Sequence, residues 1–549
     1  MCEPRKASNR QNMKESEPDQ SLTGSTPPPG KSMNLERRNF LKTGLWAGTF
    51  GALGMSYHKA VAENAVAEAA EKNIDNKESS IVFGGPSHLR NAMQLAANTY
   101  APNRVKDMLS RTNDSGYRMT VSPNGFPVAL CMSPDLTFGM LGSRFMENRD
   151  YLDTFIGHMN FLPRNMRRNG KFFINEDMLA GAGRVFSQVV YLIWVWELYL
   201  STGDKKILTF HHEPLKHCLG YIESRTDAQG IVTQVDPDDW QYSEGADWVD
   251  WCPERMEGST CVYHTWYAHA LRGCARIFEI LGDVPAKELC EERMNRQQQV
   301  LTKHFWNGEA YWDNLNFQGE KVGRFWCDSQ IWPIAFGFSS EQQASKIFGR
   351  IDAEPEIFEG MPLRWCAPIK PGEEDPRYLR GGKYADTKRP ELRQFTWFGR
   401  LGSGDILARY RTGQDEHAFN LINKYAKVVS ESGTLTECLD MEGKAQRGTS
   451  GQGNYLEHAG GLLWCTAKGL FGVDDTIDGT INWTPRIPAS IKEASMPFWH
   501  FGNCWKFGCD EKNYWIDPGK AVEKVRVTLN GKSEEIQLDG KKIHFPRAI

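Results

Sequence analysis

A chain of 549 residues, 40% hydrophobic and 24% charged, has the make-up of a soluble globular protein with room for one large domain and a smaller one. Its formal net charge of −4 offers no electrostatic hold on nucleic acid or on an anionic membrane, so neither is expected as a standing partner. The thirteen cysteines make no CxxC pair and no Cys/His cluster of zinc spacing, so no metal or other cofactor is expected.

Residues 1–32 are polar, rich in Ser, Pro and Lys, and lack any apolar period, which is the composition of a disordered segment. Met33 opens a run through Arg37-Arg38 and Phe40-Leu41-Lys42 into a mildly apolar Gly/Ala-rich stretch from Thr43 to Met55. Residues 33–70 resemble a twin-arginine export signal, with small residues between Ala60 and Ala70 suited to cleavage. The apolar run is shorter than the roughly 20 residues a membrane crossing needs. Membrane contact is therefore expected only transiently, on the way to a bacterial periplasm or beyond. Residues 71–86 read as a linker.

Residues 87–472 carry a helical period almost throughout. The segments are Asn91–Tyr100, Ser133–Glu147, Arg149–Arg168, Gly181–Thr202, Lys205–Arg225, Gly258–Leu281, Pro285–His304, Cys327–Phe336, Glu341–Arg350, Thr396–Tyr410, Glu416–Ser430 and Tyr455–Leu470. Several stop at a glycine and restart at once: Thr202-Gly203-Asp204, Leu281-Gly282-Asp283, Thr412-Gly413-Gln414. At their other ends the connections are long: 225–257, 304–326, 351–395 and 431–454. Short turns at one end and long loops at the other describe six helical hairpins in a toroid with one decorated face, where function should sit. From 473 to 549 the pattern changes to alternation broken by Asn530-Gly531 and Asp539-Gly540, the signature of hairpins in a small C-terminal β domain. Within it, Cys504 and Cys509 are one conceivable local disulfide; buried reduced thiols are the alternative.

The stretch from Asp238 to Glu257, DDWQYSEGADWVDWCPERME, packs four Asp, three Glu and three Trp into one of the long loops. Indole faces stack on the apolar faces of sugar rings, and carboxylates grip hydroxyls or move protons, so this composition suits a carbohydrate site. Trp240, Trp248, Trp251, Trp326 and Trp397 are the stacking candidates, with Asp135 and Glu244 as polar substrate contacts. Arg364, Arg380, Lys383, Arg389 and Arg393, in the 351–395 loop, suit a sugar carboxylate or plain solvation.

Six hairpins closed by a β domain resemble the six-hairpin glycosidases, the (α/α)6 toroid group, from about Asn91 to the end. The similarity is greatest to the bacterial α-L-rhamnosidase type at three places: Tyr199–Asp204, Asp247-Trp248-Val249-Asp250-Trp251, and Gly469–Gly472 with Trp483–Pro488. In that type an acid-rich segment with a Glu general acid precedes the first barrel helices; the matching Asn124–Asp135 here has no Glu and keeps only Asp135. Elsewhere in the toroid group the acid lies between the fifth and sixth helices and the base between the eleventh and twelfth. The resemblance thus implies an acid in the Trp-rich loop, Asp247 or Asp250 with Glu244 third. It implies a base in Gly433-Thr-Leu-Thr-Glu437-Cys438, namely Glu437. Inverting hydrolysis would follow from two such carboxylates about 6.5–9.5 Å apart. Two other classes stay open: a polysaccharide lyase or sugar epimerase using His211, His212, His264, His269 or His458, and a non-catalytic glycan-binding protein.

Overall fold

The computed structural model describes residues 81–106, 117–120, 134–165, 185–233, 258–355, 398–435, 454–476, 479–521 and 523–547. Twelve helices longer than two turns lie within them: α1 Ser87–Asn98, α2 Pro134–Ser143, α3 Asp150–Phe161, α4 Val185–Thr202, α5 Lys205–Glu223, α6 Cys261–Leu281, α7 Val284–Val300, α8 Cys327–Ala335, α9 Glu341–Ala353, α10 Ser403–Arg411, α11 Asp415–Ser432 and α12 Leu456–Cys465.

Local chemistry sets the hairpin turns. Gly282 takes the left-handed conformation (φ 75°) that stops α6, and Asp283 caps α7 by accepting from the Ala286 N–H at 3.2 Å. Gly203 (φ 66°) and Asp204, which accepts from the Lys206 N–H at 2.9 Å, repeat the device between α4 and α5. In α9 the start is a capping box, Ser340 with Gln343.

The even-numbered helices form an inner ring: α2 contacts α4, α4 contacts α6, and so on through α8, α10 and α12 back to α2. Burial follows position. Phe186 to Leu200 in α4 is buried without a break, whereas α5 buries one stripe that includes Leu208, Leu215, Leu219 and Ile222. The odd-numbered helices are the outer layer, α7 on α6 and α11 on α10, and α1 packs on α11 and α12. The mainly helical (α/α)6 architecture with a β region is therefore present.

Fourteen strands complete the described residues: β1 Val82–Gly84, β2 Arg104–Lys106, β3 Tyr117–Met119, β4 Ser259–Thr260, β5 Asn314–Leu315, β6 Lys321–Val322, β7 Val473–Asp475, β8 Ile481–Trp483, β9 Glu493–His500, β10 Asn503–Cys509, β11 Asn513–Asp517, β12 Lys524–Leu529, β13 Lys532–Gln537 and β14 Ile543–Pro546. The C-terminal part holds two sheets, β1-β9-β10-β11-β14 and β13-β12-β8-β7. Asn530 and Gly531, both at positive φ, turn β12 into β13.

One expectation is corrected here, and one open alternative, the state of Cys504 and Cys509, is decided. Residues 82–84, read as linker, pair with the edge of the C-terminal sheet (Val82 opposite Ser495), a strand too short to show alternation. Cys504 and Cys509 are both free thiols on one strand, β10. Five residues of strand separate them by about 16 Å, far beyond disulfide reach. The eight cysteines within the described residues are all free, and burial pushes those of α5 and α6 (Cys218, Cys261, Cys274) well up.

The β sheets dock where the inner helices end. The Phe501 and Gly502 amides donate to Leu200 O (2.7 Å) and Ser201 O (2.9 Å), satisfying carbonyls that the end of α4 leaves open. Arg144, after α2, is buried between Glu197 and Asp475, each at 2.5 Å, and Lys468 adds a second cation on Asp475. Among the described residues no helix is long and apolar enough to cross a membrane.

Candidate active site

Each hairpin returns the chain to the same end of the ring, so every connection from an outer helix to the next inner helix lies at the inner helices' N-terminal end. These are the long connections, and they include the stretch between α5 and α6 and that between α11 and α12. Inner helices α6 and α12 are three places apart in a ring of six and so stand opposite each other. The aligned N-termini carry partial positive charge and unsatisfied N–H groups, which favours ionised carboxylates on this face.

Aromatic side chains close the ring below the face. Phe138 of α2 lies 6.2 Å from Trp266 of α6, 6.0 Å from Trp332 of α8 and 5.8 Å from Trp464 of α12, ring centre to ring centre. Trp266 and Trp332 meet at 4.8 Å. The axis is therefore a packed floor, worth the burial of four large side chains at roughly 1.5–3 kcal/mol each.

Between that floor and the connections lies a buried polar layer. Asp328, in the first turn of α8, accepts the indole N–H of Trp326 at 3.1 Å and of Trp332 at 2.8 Å. Burial pushes its carboxyl up to about 6, opposed by the Arg400 guanidinium. Arg400, just ahead of α10, is itself buried; desolvation, helped by the Arg400 charge, holds the His458 imidazole down to about 3. Gly399 presses on Glu457 so closely that a Cβ would fall 2.4 Å from Glu457 Cγ, so a larger residue there would push the Glu457 side chain aside. Asp328, Arg400, Glu457 and His458 thus join the starts of α8, α10 and α12.

A small sheet, β4-β5-β6, supports the connections on the α6–α8 side. Asp313, just before β5, is buried and pushed up to about 7, and it accepts the backbone N–H of Arg324 (2.6 Å) and Trp326 (2.9 Å). It clamps a turn in which Phe325 sits at φ 59°, a costly conformation for an aromatic residue.

Of the residues singled out from sequence, Asp247, Asp250, Glu437, Trp240, Glu244, Trp248, Trp251 and Trp397 lie outside the described residues, as do the basic residues of the 351–395 loop. Asp135 is in the first turn of α2, with its side chain outside the description. Trp326 is fully buried and bonded to Asp328, the environment of an anchor rather than of a sugar platform. Of the histidines considered for proton abstraction, His211, His264 and His458 are buried and His269 is half-buried, and desolvation holds all four neutral. Asp328 and Arg400 were missed. Their signal was an acid with Trp at i−2 and i+4, and an arginine between glycines in Phe398-Gly399-Arg400-Leu401-Gly402. Among the described residues no group of three or more His, Cys, Asp or Glu is arranged to hold a metal.

The ring and its floor define an (α/α)6 toroid of six helical hairpins, the fold of the solved structures described next. Residues 186–352, spanning α4 to α9, match the sequence model described as the bacterial alpha-L-rhamnosidase 6 hairpin glycosidase domain. The match agrees with the resemblance drawn from the sequence over α4 to α9. Among solved structures, a GH78 family rhamnosidase of Bacillus sp. GL1 aligns with TM-score 0.57 and 13% identity, over 83% of this chain and 43% of that one. An alpha-L-rhamnosidase from Dictyoglumus thermophilum aligns with TM-score 0.54 and 13% identity, over 85% of this chain and 50% of that one. A structure titled Sialidase aligns with TM-score 0.54 and 14% identity, over 82% and 42%. The chain spans about half the length, or less, of these proteins. No curated protein matches the sequence.

Proposed function

We propose that the protein is an exported glycoside hydrolase, α-L-rhamnosidase-like, that removes terminal sugars from oligo- or polysaccharides by an inverting mechanism. Asp247, or Asp250 beside it, donates a proton to the glycosidic oxygen. Glu437 takes a proton from the water that attacks the anomeric carbon from the opposite face. The carrying observation is the order of the ring: the connections bearing these residues lead into α6 and α12, opposite helices whose N-termini share one face. Two carboxylates entering from opposite sides can flank one sugar linkage, and the helix N-termini favour the ionised base. The export part of the reading rests on the signal-like residues 33–70.

The test is hydrolysis of p-nitrophenyl α-L-rhamnopyranoside, then of a panel of aryl glycosides and oligosaccharides, with the anomer of the first product read by NMR. Inverted product that disappears in Glu437→Gln supports the reading. Ultraviolet absorbance from an unsaturated product would replace it with a lyase. Sugar binding that survives in Glu437→Gln, with no turnover in either protein, would make it a binding protein. Retention of the chain in the cytoplasm with its Arg37-Arg38 pair intact would remove the export part.

A further inference from the structure

The acidic, tryptophan-rich connection leaves the described residues at Thr233 and re-enters them at Gly258. Its two ends are linked through the protein interior. On the departing side an Asx turn forms, with Asp227 Oδ1 accepting the N–H of Gln229 (2.8 Å) and Ile231 (2.9 Å), and Thr233 donates its N–H to Arg225 O at 2.9 Å. Gly230 stands at φ 89°, and a Cβ there would lie 2.7 Å from Arg296 Cγ, so this turn is pressed against α7. Its carbonyl accepts from Gln297 Nε2 at 3.0 Å. On the returning side Ser259 Oγ lies 2.8 Å from His264 Nε2. The link between the sides is His264 Nδ1 bonded to Gln297 Oε1.

The chain of bonds has one direction. Because the Gln297 amide N–H points at Gly230 O, its oxygen faces His264, so Nδ1 must carry the proton. Nε2 is then the acceptor, and the Ser259 hydroxyl donates to it. Both ring nitrogens of His264 are bonded, and Ser259, His264 and Gln297 are all buried. Burial holds the imidazole down to about 4, so it keeps this neutral form at ordinary pH. One nitrogen of His264 thus bonds the strand that follows the loop, and the other reaches, through Gln297 of α7, the turn that precedes it.

We propose that Ser259, His264 and Gln297 form an internal staple that fixes the two ends of the 234–257 connection relative to each other and so positions the carboxylates it carries. The last clause rests on the glycosidase reading; the staple itself does not. These are positioning residues, set behind the loop.

Hydrogen–deuterium exchange of the whole purified protein reads the staple directly. Ser259→Ala should speed exchange about tenfold both at 258–260 and, across the relay, at the Thr233 amide, with the amides of α8 to α12 unchanged. Ser259→Thr, which keeps the hydroxyl, should restore wild-type rates. Gln297→Met, of nearly the same volume, should free both ends and serves if Ser259→Ala fails to fold. Faster exchange confined to 258–260, or spread evenly over the chain, overturns the staple. With p-nitrophenyl α-L-rhamnopyranoside, or whichever aryl glycoside of the panel is turned over, Ser259→Ala should lower kcat about tenfold with KM little changed, rescued by Ser259→Thr. An unchanged kcat beside the long-range exchange effect overturns the positioning clause alone. Activity retained in Glu437→Gln overturns only the assignment of Glu437 as base, whereas no turnover of any glycoside by the wild-type protein overturns the glycosidase reading; either leaves the exchange result standing.

Discussion

The two ends of the helical ring solve the same problem in opposite ways. At the end where the inner helices stop, their open carbonyls are met by protein: Phe501 and Gly502 amides cap α4, and the Trp499 amide donates to Arg144 O at 2.8 Å. Short Gly-based turns leave room for the sheets to dock, and Arg144, Glu197, Asp475 and Lys468 seal the junction as a buried charge cluster. At the end where the inner helices start, long connections replace the turns, and the buried layer of Asp328, Arg400, Glu457 and His458 stands over an aromatic floor. The difference teaches where rigidity is invested. One end is closed so that the other can hold polar and charged groups in an exact-fitting layer without collapsing.

The comparison is broken most severely at the open end. Glu437→Gln or Asp247→Asn should cut hydrolysis by about 10²–10⁴ while leaving the unfolding midpoint in place. A midpoint that falls with the activity would make these residues structural. At the sealed end the reverse is expected. Arg144→Met strands Glu197 as an uncompensated buried carboxylate, leaves Asp475 with Lys468 alone, and should cost about 3–5 kcal/mol in urea unfolding. An unchanged urea midpoint would show that the cluster holds nothing together.

His500 sharpens the contrast with pH. It is buried, 4.0 Å from Asp475 and 3.8 Å from Glu523, with Arg144 and Lys468 opposing its charge, and desolvation draws its pKa from 6.5 to about 4. The unfolded chain therefore binds a proton that the folded one refuses. The contribution is full above pH 6.5, declines as pH falls, and is lost below pH 4, by about 3 kcal/mol. His500→Phe should flatten that part of the acid limb in a stability-against-pH series; an identical limb would place the titration elsewhere. The smallest effect is at a hairpin turn. Gly282→Ala meets no atom within 4 Å but forces a side chain into φ 75°, which should cost about 1 kcal/mol and leave activity untouched.

Much of the scaffold was legible from residues alone. Leu281-Gly282-Asp283 announces a helix stop and a new cap because a left-handed glycine and a capping aspartate are local requirements. The inner helix α4 reads as apolar on every side because it is enclosed by ring and outer layer alike. Three-residue β1 was hidden because its only reason to be a strand is a partner more than four hundred residues away. Asp328 was hidden because its local mark, Trp at i−2 and i+4, does not say that both indoles will turn to it or that it will face an arginine from another element. Trp326 misled for the same reason: composition says that an indole is present, and only packing says whether its face is free.

What this sequence determined by itself is the repeat of helix, glycine stop and returning helix, together with the β hairpins at the C-terminus, since each rests on forces acting within a few residues. Which side chains meet at the start of the ring was decided by tertiary structure: the staple from Gly230 to Ser259 and the layer around Arg400 join residues far apart in the chain. Desolvation and hydrogen-bond partners exist only once the ring has closed.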